Sequence, residues 1–378
     1  MRNQVHEASP AARRRPADDV GDGRAQAPRV GLRQRAARVL HATHLLPACS
    51  RMRDLQRRDL RVLAYHRVLR ELPGPAFGFD PELVSASAAQ FRAQLDVLRR
   101  HFHPLRFRDV IEAIDEGRPL PPRAIVITFD DGYDDNHRIA FPILRELGVP
   151  ATFFVSTGHI DTGRAYAYDW LVHMVRNTGA TRLQLAELAL DRALPATPER
   201  RLALAAELLD RLKTLPAPTQ AAIIERLEQD WSMPRAHAHD ACQPMGWDQL
   251  RAMHAAGMEI GSHGIWHQML AKLPRDAMLH EVRASKQAIE RELGAPCEVI
   301  SYPVGGHDAY DDDVVHAVED AGYRLGCSYR SGTNALPLRD RYALRRLAVE
   351  RDMDIAWFAA QASLPEVFSY PSRRRTTG

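Results

Sequence analysis

The stretch AIVITFDDG, residues 124–132, decides the fold. From Ala124 to Phe129 the residues are apolar or, at Thr128, small and β-branched. No polar alternation breaks the run, which predicts a strand buried on both faces. Asp130 and Asp131 close it, and Gly132 permits a sharp turn.

Working outward, six more short runs have the same character: Val62 to Tyr65, Thr152 to Val155, Met258 to Gly261, Glu298 to Tyr302, Arg324 to Ser328 and Leu344 to Val349. Helical segments separate them, among them Ala86 to Phe102, Asn136 to Leu147, Asp248 to Ala256, Arg275 to Leu293 and Asp311 to Ala321. Strands apolar on both faces with helical crossovers imply a parallel sheet covered by helices, an α/β fold. Seven such units predict a closed or nearly closed βα barrel, whose chemistry sits just after the strands.

The segment Thr157 to Gly246 breaks the pattern. Its apolar spacing (Leu202, Leu204, Ala205, Leu208, Leu209 and Leu212, then Ile223, Ile224 and Leu227) is helical, and no strand is evident. It reads as a helical cap on the barrel mouth, spanning about 160–246. The predicted organisation is an Arg-rich leader over 1–55, disordered through about residue 30, a barrel domain over 56–365, and a basic tail over 366–378. Within the leader, Leu32, Ala36, Val39, Leu40 and Ala42 recur at helical intervals among Arg33, Arg35 and Arg38. Such a helix either lies on an anionic membrane or, more commonly, covers one end of the domain.

The chemistry is concentrated at strand ends. Two adjacent carboxylates there need a compensating positive charge, and a divalent cation would hold one and leave the other free as a base. Out of context, DDG is a turn with two solvated acids; the strand before it favours the metal. An EF-hand is excluded, because its glycine belongs at the sixth loop position and a closing Glu is missing. SHGIWHQ follows the strand that starts at Met258. His263 and His267, four apart, would lie on one face of a helical turn and can share a metal. Two His and one carboxylate leave coordination positions open, the arrangement of a hydrolytic centre that activates water against an ester or amide carbonyl. Tyr302 and Pro303 make a turn at another strand end, where a backbone N–H could face an oxyanion, and His66 closes the first strand.

Together these residues resemble the polysaccharide deacetylase family (carbohydrate esterase family four, with its NodB homology domain), over about residues 61–350. The resemblance implies a distorted seven-stranded βα barrel. TFDDG at 128–132 is similar to the family's first motif, which implies Asp130 as general base and Asp131 as metal ligand. SHGIWH at 262–267 is similar to its second, which implies His263 and His267 as the other ligands of a divalent metal, usually zinc. SYPVGG is similar to its third, which implies Tyr302 and Pro303 as groove-lining residues with an oxyanion contact near Tyr302. The late LxH motif of many members is absent. In the exopolysaccharide-modifying branch a histidine in a YHxV context takes its place as catalytic acid, which implies His66 here. Arg346 resembles an arginine that supports the base in that branch. The implied reaction is removal of acetyl from N-acetylhexosamine units of a polysaccharide. An O-acetyl esterase using the same site and a non-catalytic glycan-binding barrel are the alternatives.

Composition narrows the rest. The net charge of +3 hides a split: residues 1–70 carry 16 Arg against 6 acids, whereas the remainder carries 35 basic and 42 acidic side chains. A general nucleic-acid binder would stripe its folded domain with positive charge, so the split argues against that class. Cys49, Cys242, Cys297 and Cys327 are widely spaced without a CxxC pair and read as buried thiols. No run of about 18 apolar residues is present, and the N-terminus lacks a secretory apolar core. Either the start codon is placed too far upstream or the protein works inside on a precursor.

Overall fold

The computed structural model describes residues 31–235 and 239–369; the expected disordered leader up to Val30 and the end of the basic tail lie outside them. Seven strands form the barrel: β1 (Asp59–Tyr65), β2 (Ala124–Phe129), β3 (Thr152–Val155), β4 (Glu259–Ser262), β5 (Val299–Ser301), β6 (Leu325–Ser331) and β7 (Leu344–Ala348). All run parallel, in the order β1-β7-β6-β5-β4-β3-β2, and β2 pairs back onto β1. The ring is closed, with Leu63 opposite Ile127 on one side of β1 and opposite Leu347 on the other. Each of the seven apolar runs in the sequence supplies one strand.

Closure is uneven. β2 meets β3 only at Thr128 and Phe129, and beside its first half lies a short extra strand, His103–Leu105. Another, Asn334–Ala335, runs antiparallel to the start of β1. The barrel is therefore splayed at its N-terminal end.

The helices are α1 (Leu32–Ala42), α2 (Leu46–Gln56), α3 (Ala88–His101), α4 (Phe107–Asp115), α5 (Phe141–Leu147), α6 (Thr157–Thr162), α7 (Ala167–Asn177), α8 (Pro198–Leu212), α9 (Ala217–Asp230), α10 (Trp247–Ala255), α11 (Arg275–Leu293), α12 (Asp312–Asp320), α13 (Ile355–Ser363) and α14 (Pro365–Phe368). Alternate strand residues go to different layers, as the two-residue period requires. Leu63, Tyr65, Ile125, Ile127, Phe129 and Ile300 pack with Phe91, Leu95 and Leu98 of α3 and with Val282 and Ile289 of α11. Val62, Val126, Phe154, Val299, Leu325 and Leu344 point inward and meet Phe107, Val110 and Ile111 of α4, which plugs the splayed end. Glu259 caps the plug by accepting from the N–H groups of Phe107 and Arg108 at 2.8 and 2.9 Å.

The insertion between β3 and β4 has its own apolar core, built from Trp170 and Leu171 of α7, Leu204 and Leu208 of α8, and Ile223, Ile224 and Leu227 of α9. It is not purely helical. Arg182–Leu185 and Leu190–Ala193 form an antiparallel hairpin, with Leu183 and Leu185 buried and their neighbours exposed. Four residues of alternation between helices are too few to stand out in the sequence.

The domain also extends past the expected boundaries. Ala37 of α1 and Leu46 at the start of α2 pack with Ala359 and Ala360 of α13 and Phe368 of α14. Arg53 of α2 bonds Asp59 of β1 and Glu366 of α14. Cys242, Cys297 and Cys327 are buried free thiols, and Cys49 is half-buried.

Candidate active site

At the C-terminal end of the barrel the inward rows turn polar. Asp130 continues the inward row of Val126 and Thr128, Ser301 that of Val299, and Arg346 that of Leu344. Arg346 reaches across the interior to strands that are not its neighbours. Its Nη1 and Nη2 each donate to one oxygen of Asp130 at 2.7 Å, its Nη2 also to Ser301 Oγ at 3.0 Å, and its Nε to the Ser328 carbonyl at 2.8 Å. Both side chains are almost fully buried, 1% exposed for Arg346 and 3% for Asp130. Burial works against the Asp130 carboxylate, but the Arg346 guanidinium outweighs it and holds the carboxyl below its ordinary value. The planar fork explains why arginine serves here.

Adjacent strand residues point to opposite faces, so Asp131 would ordinarily turn away. Its φ of 75° and the 92° of Gly132 turn the chain so that both carboxylates serve one cavity. Asp131 Oδ1 lies 3.1 Å from His267 Nε2 and 3.5 Å from His263 Nε2. Burial again opposes the charge, and the His267 and His263 imidazoles drive the Asp131 carboxyl well below its usual range.

The two histidines do not share a helix. Residues 263–267 form a turn after β4, with Gly264 at φ 74° and His267 at φ 54°, and the rings stand 4.8 Å apart. The expectation of a helical turn fails because Gly264 takes a left-handed conformation directly after the first histidine. What holds the turn was not visible in the motif. The buried Glu281 of α11 accepts from the N–H groups of Ile265 (2.5 Å) and Trp266 (3.2 Å). From the other side, the Thr157 and Gly158 N–H groups donate to the Gly264 and Ile265 carbonyls. The approach is so close that a β-carbon at Gly158 would lie 2.8 Å from Ile265 and Trp266. The insertion also sends Tyr166, whose hydroxyl donates to the Asp131 carbonyl at 2.6 Å.

His66 lies just past β1, half-buried, its ring 5.4 Å from that of Tyr329. Burial lowers its pKa, while the Asp131 and Asp130 carboxylates pull the other way. Its backbone is fixed at both ends, the N–H donating to Ser85 Oγ and the carbonyl accepting from Asn136 Nδ2.

The third motif needs a correction. Tyr302 is fully buried, stacked on Tyr310 at 4.4 Å, and its hydroxyl donates to the Tyr342 carbonyl at 2.7 Å. Its N–H donates to Cys327 O at 3.0 Å. Ser301 faces inward, so period two sends Tyr302 into the helix layer and away from substrate. Pro303 is buried as well and has no N–H. The next donor in the turn is Val304, at φ 65°, whose N–H has no hydrogen-bond partner among the described residues.

Asp131, His263 and His267 fit a divalent cation. One ligand atom from each lies within 4.8 Å of the others. His263 Nδ1 is 2.7 Å from the Ser301 carbonyl, which can only accept, so the proton belongs on Nδ1 and the Nε2 lone pair faces Asp131. Asp131 Oδ1 is a buried oxygen without a well-aligned donor. A cation between these atoms would replace the protons by which the two imidazoles hold the Asp131 carboxyl down.

The sequence profile of the family described as Polysaccharide deacetylase matches residues 117–188 and 198–326. The putative polysaccharide deacetylase YxkH of Bacillus subtilis (strain 168) is 23% identical over 240 residues, 63% of this chain and 56% of that protein. The poly-β-1,6-N-acetyl-D-glucosamine N-deacetylase of Escherichia coli (strain K12) is 32% identical over 109 residues, 25% of this chain and 16% of that protein. The chain thus spans little more than half of the first relative and about a sixth of the second. Among solved structures, the Streptococcus pyogenes deacetylase PplD superposes with a TM-score of 0.54 at 17% identity, covering 83% of this chain and all of that one. That likeness speaks for the fold.

Proposed function

The chain belongs to the polysaccharide deacetylase family, and from that premise we propose that it hydrolyses the acetamide of N-acetylhexosamine units in a polysaccharide. The observation that carries this reading is an Arg-clamped carboxylate, Asp130, next in sequence to the Asp131, His263 and His267 set. A base beside an open cation site serves a hydrolase and has no use in a binding module.

Asp131, His263 and His267 would hold a divalent cation, zinc being the family's usual choice, which would supply Lewis acidity toward the acetyl carbonyl and water. The chain's own groups do the rest. Arg346 favours the anionic form of Asp130, and Asp130 takes the proton of the attacking water as its oxygen bonds to the carbonyl carbon. The Val304 N–H, at the third-motif turn, stands as the donor to the developing oxyanion. As the carbon–nitrogen bond breaks, His66 gives a proton to the departing amine, so acetate and a free amino sugar leave. Glu281 and Tyr166 hold the backbone that carries the ligands. Trp266, 40% exposed beside His267, offers an aromatic face for a sugar ring.

The relatives named as poly-β-1,6-N-acetyl-D-glucosamine N-deacetylases support an N-acetyl substrate over an O-acetyl ester. The test is acetate and primary-amine release from N-acetylglucosamine oligomers by the zinc-loaded chain, against acetate release from O-acetylated sugars. One amine per acetate is expected. Acetate from the esters alone would move the assignment to an esterase, and glycan retention without acetate would make the barrel a binding module.

A further inference from the structure

Six of the eight large apolar side chains exposed among the described residues belong to one corner of the molecule: Leu32 and Val39 of α1, Leu45 between the helices, Met52 and Leu55 of α2, and Val367 of α14. Leu32, Met52 and Leu55 are exposed by 85%, 67% and 88%. The helices are nonetheless docked. Ala37 faces α13, and Leu46, Ser50 and Arg53 face the domain. Leu32, Ala36 and Val39, at i, i+4 and i+7, form a stripe on the far side of α1, and Met52 and Leu55 form one on the far side of α2. An amphipathic helix that only covers a domain turns its apolar stripe inward. These two carry a second one outward.

Arginine dominates the charge around the stripes, and the nearby acids Asp54, Asp354 and Glu366 are held in ion pairs with Arg53, Arg38 and Arg57. Residues 31–53 contain five arginines and no aspartate or glutamate. Arg33, Arg35, Arg51, Arg57 and Arg58 are all exposed. Separate apolar knobs rimmed by arginine match an anionic lipid bilayer, into which the knobs insert while guanidinium groups meet headgroup phosphates. No described helix is long and apolar enough to cross a membrane. We propose that the outward faces of α1 and α2 dock the enzyme on an anionic lipid bilayer. The inference is independent of which acetyl group the barrel removes.

The test is co-sedimentation of the full chain with vesicles of phosphatidylcholine and phosphatidylglycerol (three parts to one) and with pure phosphatidylcholine. Pelleting with the mixed vesicles, weakened by salt, is expected. Leu32→Asp with Leu55→Asp should weaken that partition by about tenfold or more. Arg33→Glu with Arg51→Glu should weaken it on the mixed vesicles only. Both pairs are solvent-exposed, so unchanged circular dichroism and melting temperature keep folding out of the result. The proposal is overturned if the wild-type chain stays in the supernatant with mixed vesicles, or if the Leu32→Asp, Leu55→Asp protein pellets as well as wild type. It is equally overturned if light scattering shows a wild-type dimer that this variant splits, with no vesicle binding, since the patch then serves a second copy of the chain.

Discussion

Arg346→Met probes the base and its clamp together. Methionine has nearly the length of arginine and suits a side chain that is 1% exposed, but it removes both hydrogen bonds to Asp130 and those to Ser301 and Ser328. Stranding one member of a buried ion pair costs about 3–5 kcal/mol. The cost has a ceiling, because Asp130 can take up a proton instead, and the pH dependence follows from that. In the wild type the Asp130 pKa is depressed, so its contribution to stability is present above the unfolded value and lost as pH falls through the folded one. In the variant burial is opposed only by the His263 and His66 imidazoles, so the folded pKa moves up from its wild-type position and the penalty shrinks in acid and grows as pH rises. Chemical denaturation at about pH 5 and about pH 8 should show the larger difference at the higher pH. Deacetylation should fall by roughly 10²–10⁴ near neutrality, with the acid limb of the rate profile moved upward. Adding Asp130→Asn to Arg346→Met should recover part of the lost stability, since no buried charge remains. A variant that loses the same stability at both pH values, with an unmoved rate profile, would refute the claim that Arg346 controls the charge of Asp130.

Asp130→Asn should abolish turnover while keeping a full complement of zinc, whereas His263→Ala should lose both; metal analysis beside the acetate assay separates them, and full activity in Asp130→Asn would remove the base. Glu281→Gln keeps the shape but weakens the acceptor for the Ile265 and Trp266 N–H groups. Competition with a chelator should show zinc affinity reduced by roughly 10–100-fold, with Asp130 chemistry recovered at saturating metal. Chelation of the wild type should lower its melting point in proportion to the logarithm of the metal excess, about 2.7 kcal/mol at a hundredfold excess over Kd; an unchanged melting curve would mean that Asp131, His263 and His267 hold no metal.

The barrel was legible because short apolar runs such as AIVITF recur between helical segments; the run alone does not separate strand from helix, since α13 begins IAWFAA. Candidate site residues that end such runs, Asp130, Asp131 and His263, stand out for their position. The errors come from spacing read without backbone. HxxxH fits a helical turn and equally the irregular turn observed, and only Gly264 in its midst hinted at the second. The third-motif resemblance puts Tyr302 in the groove, whereas the two-residue period starting from Val299 puts Ser301 inside and Tyr302 outside. Glu281 left a fainter trace. It sits on the buried face of α11 with Met278, Val282, Ser285 and Ile289, and an acid on an apolar face needs a partner that sequence does not name. Tyr166 left none, because its partner is a main-chain carbonyl in a distant segment.

The contact between the insertion and the ligand turn bears on how such an enzyme could be re-engineered. A cap over a barrel mouth invites replacement, as a module to be exchanged for another substrate preference. Here the first residues of the cap are part of the scaffold beneath Asp131, His263 and His267: Gly158 leaves room for the turn, two N–H groups of α6 clasp its carbonyls, and Tyr166 braces Asp131 from above. A graft that begins at Thr157 would exchange the foundation with the roof. The usable seam lies beyond Tyr166, where the chain enters α7 and a transplanted lid can differ in shape without loosening the carboxylate below it.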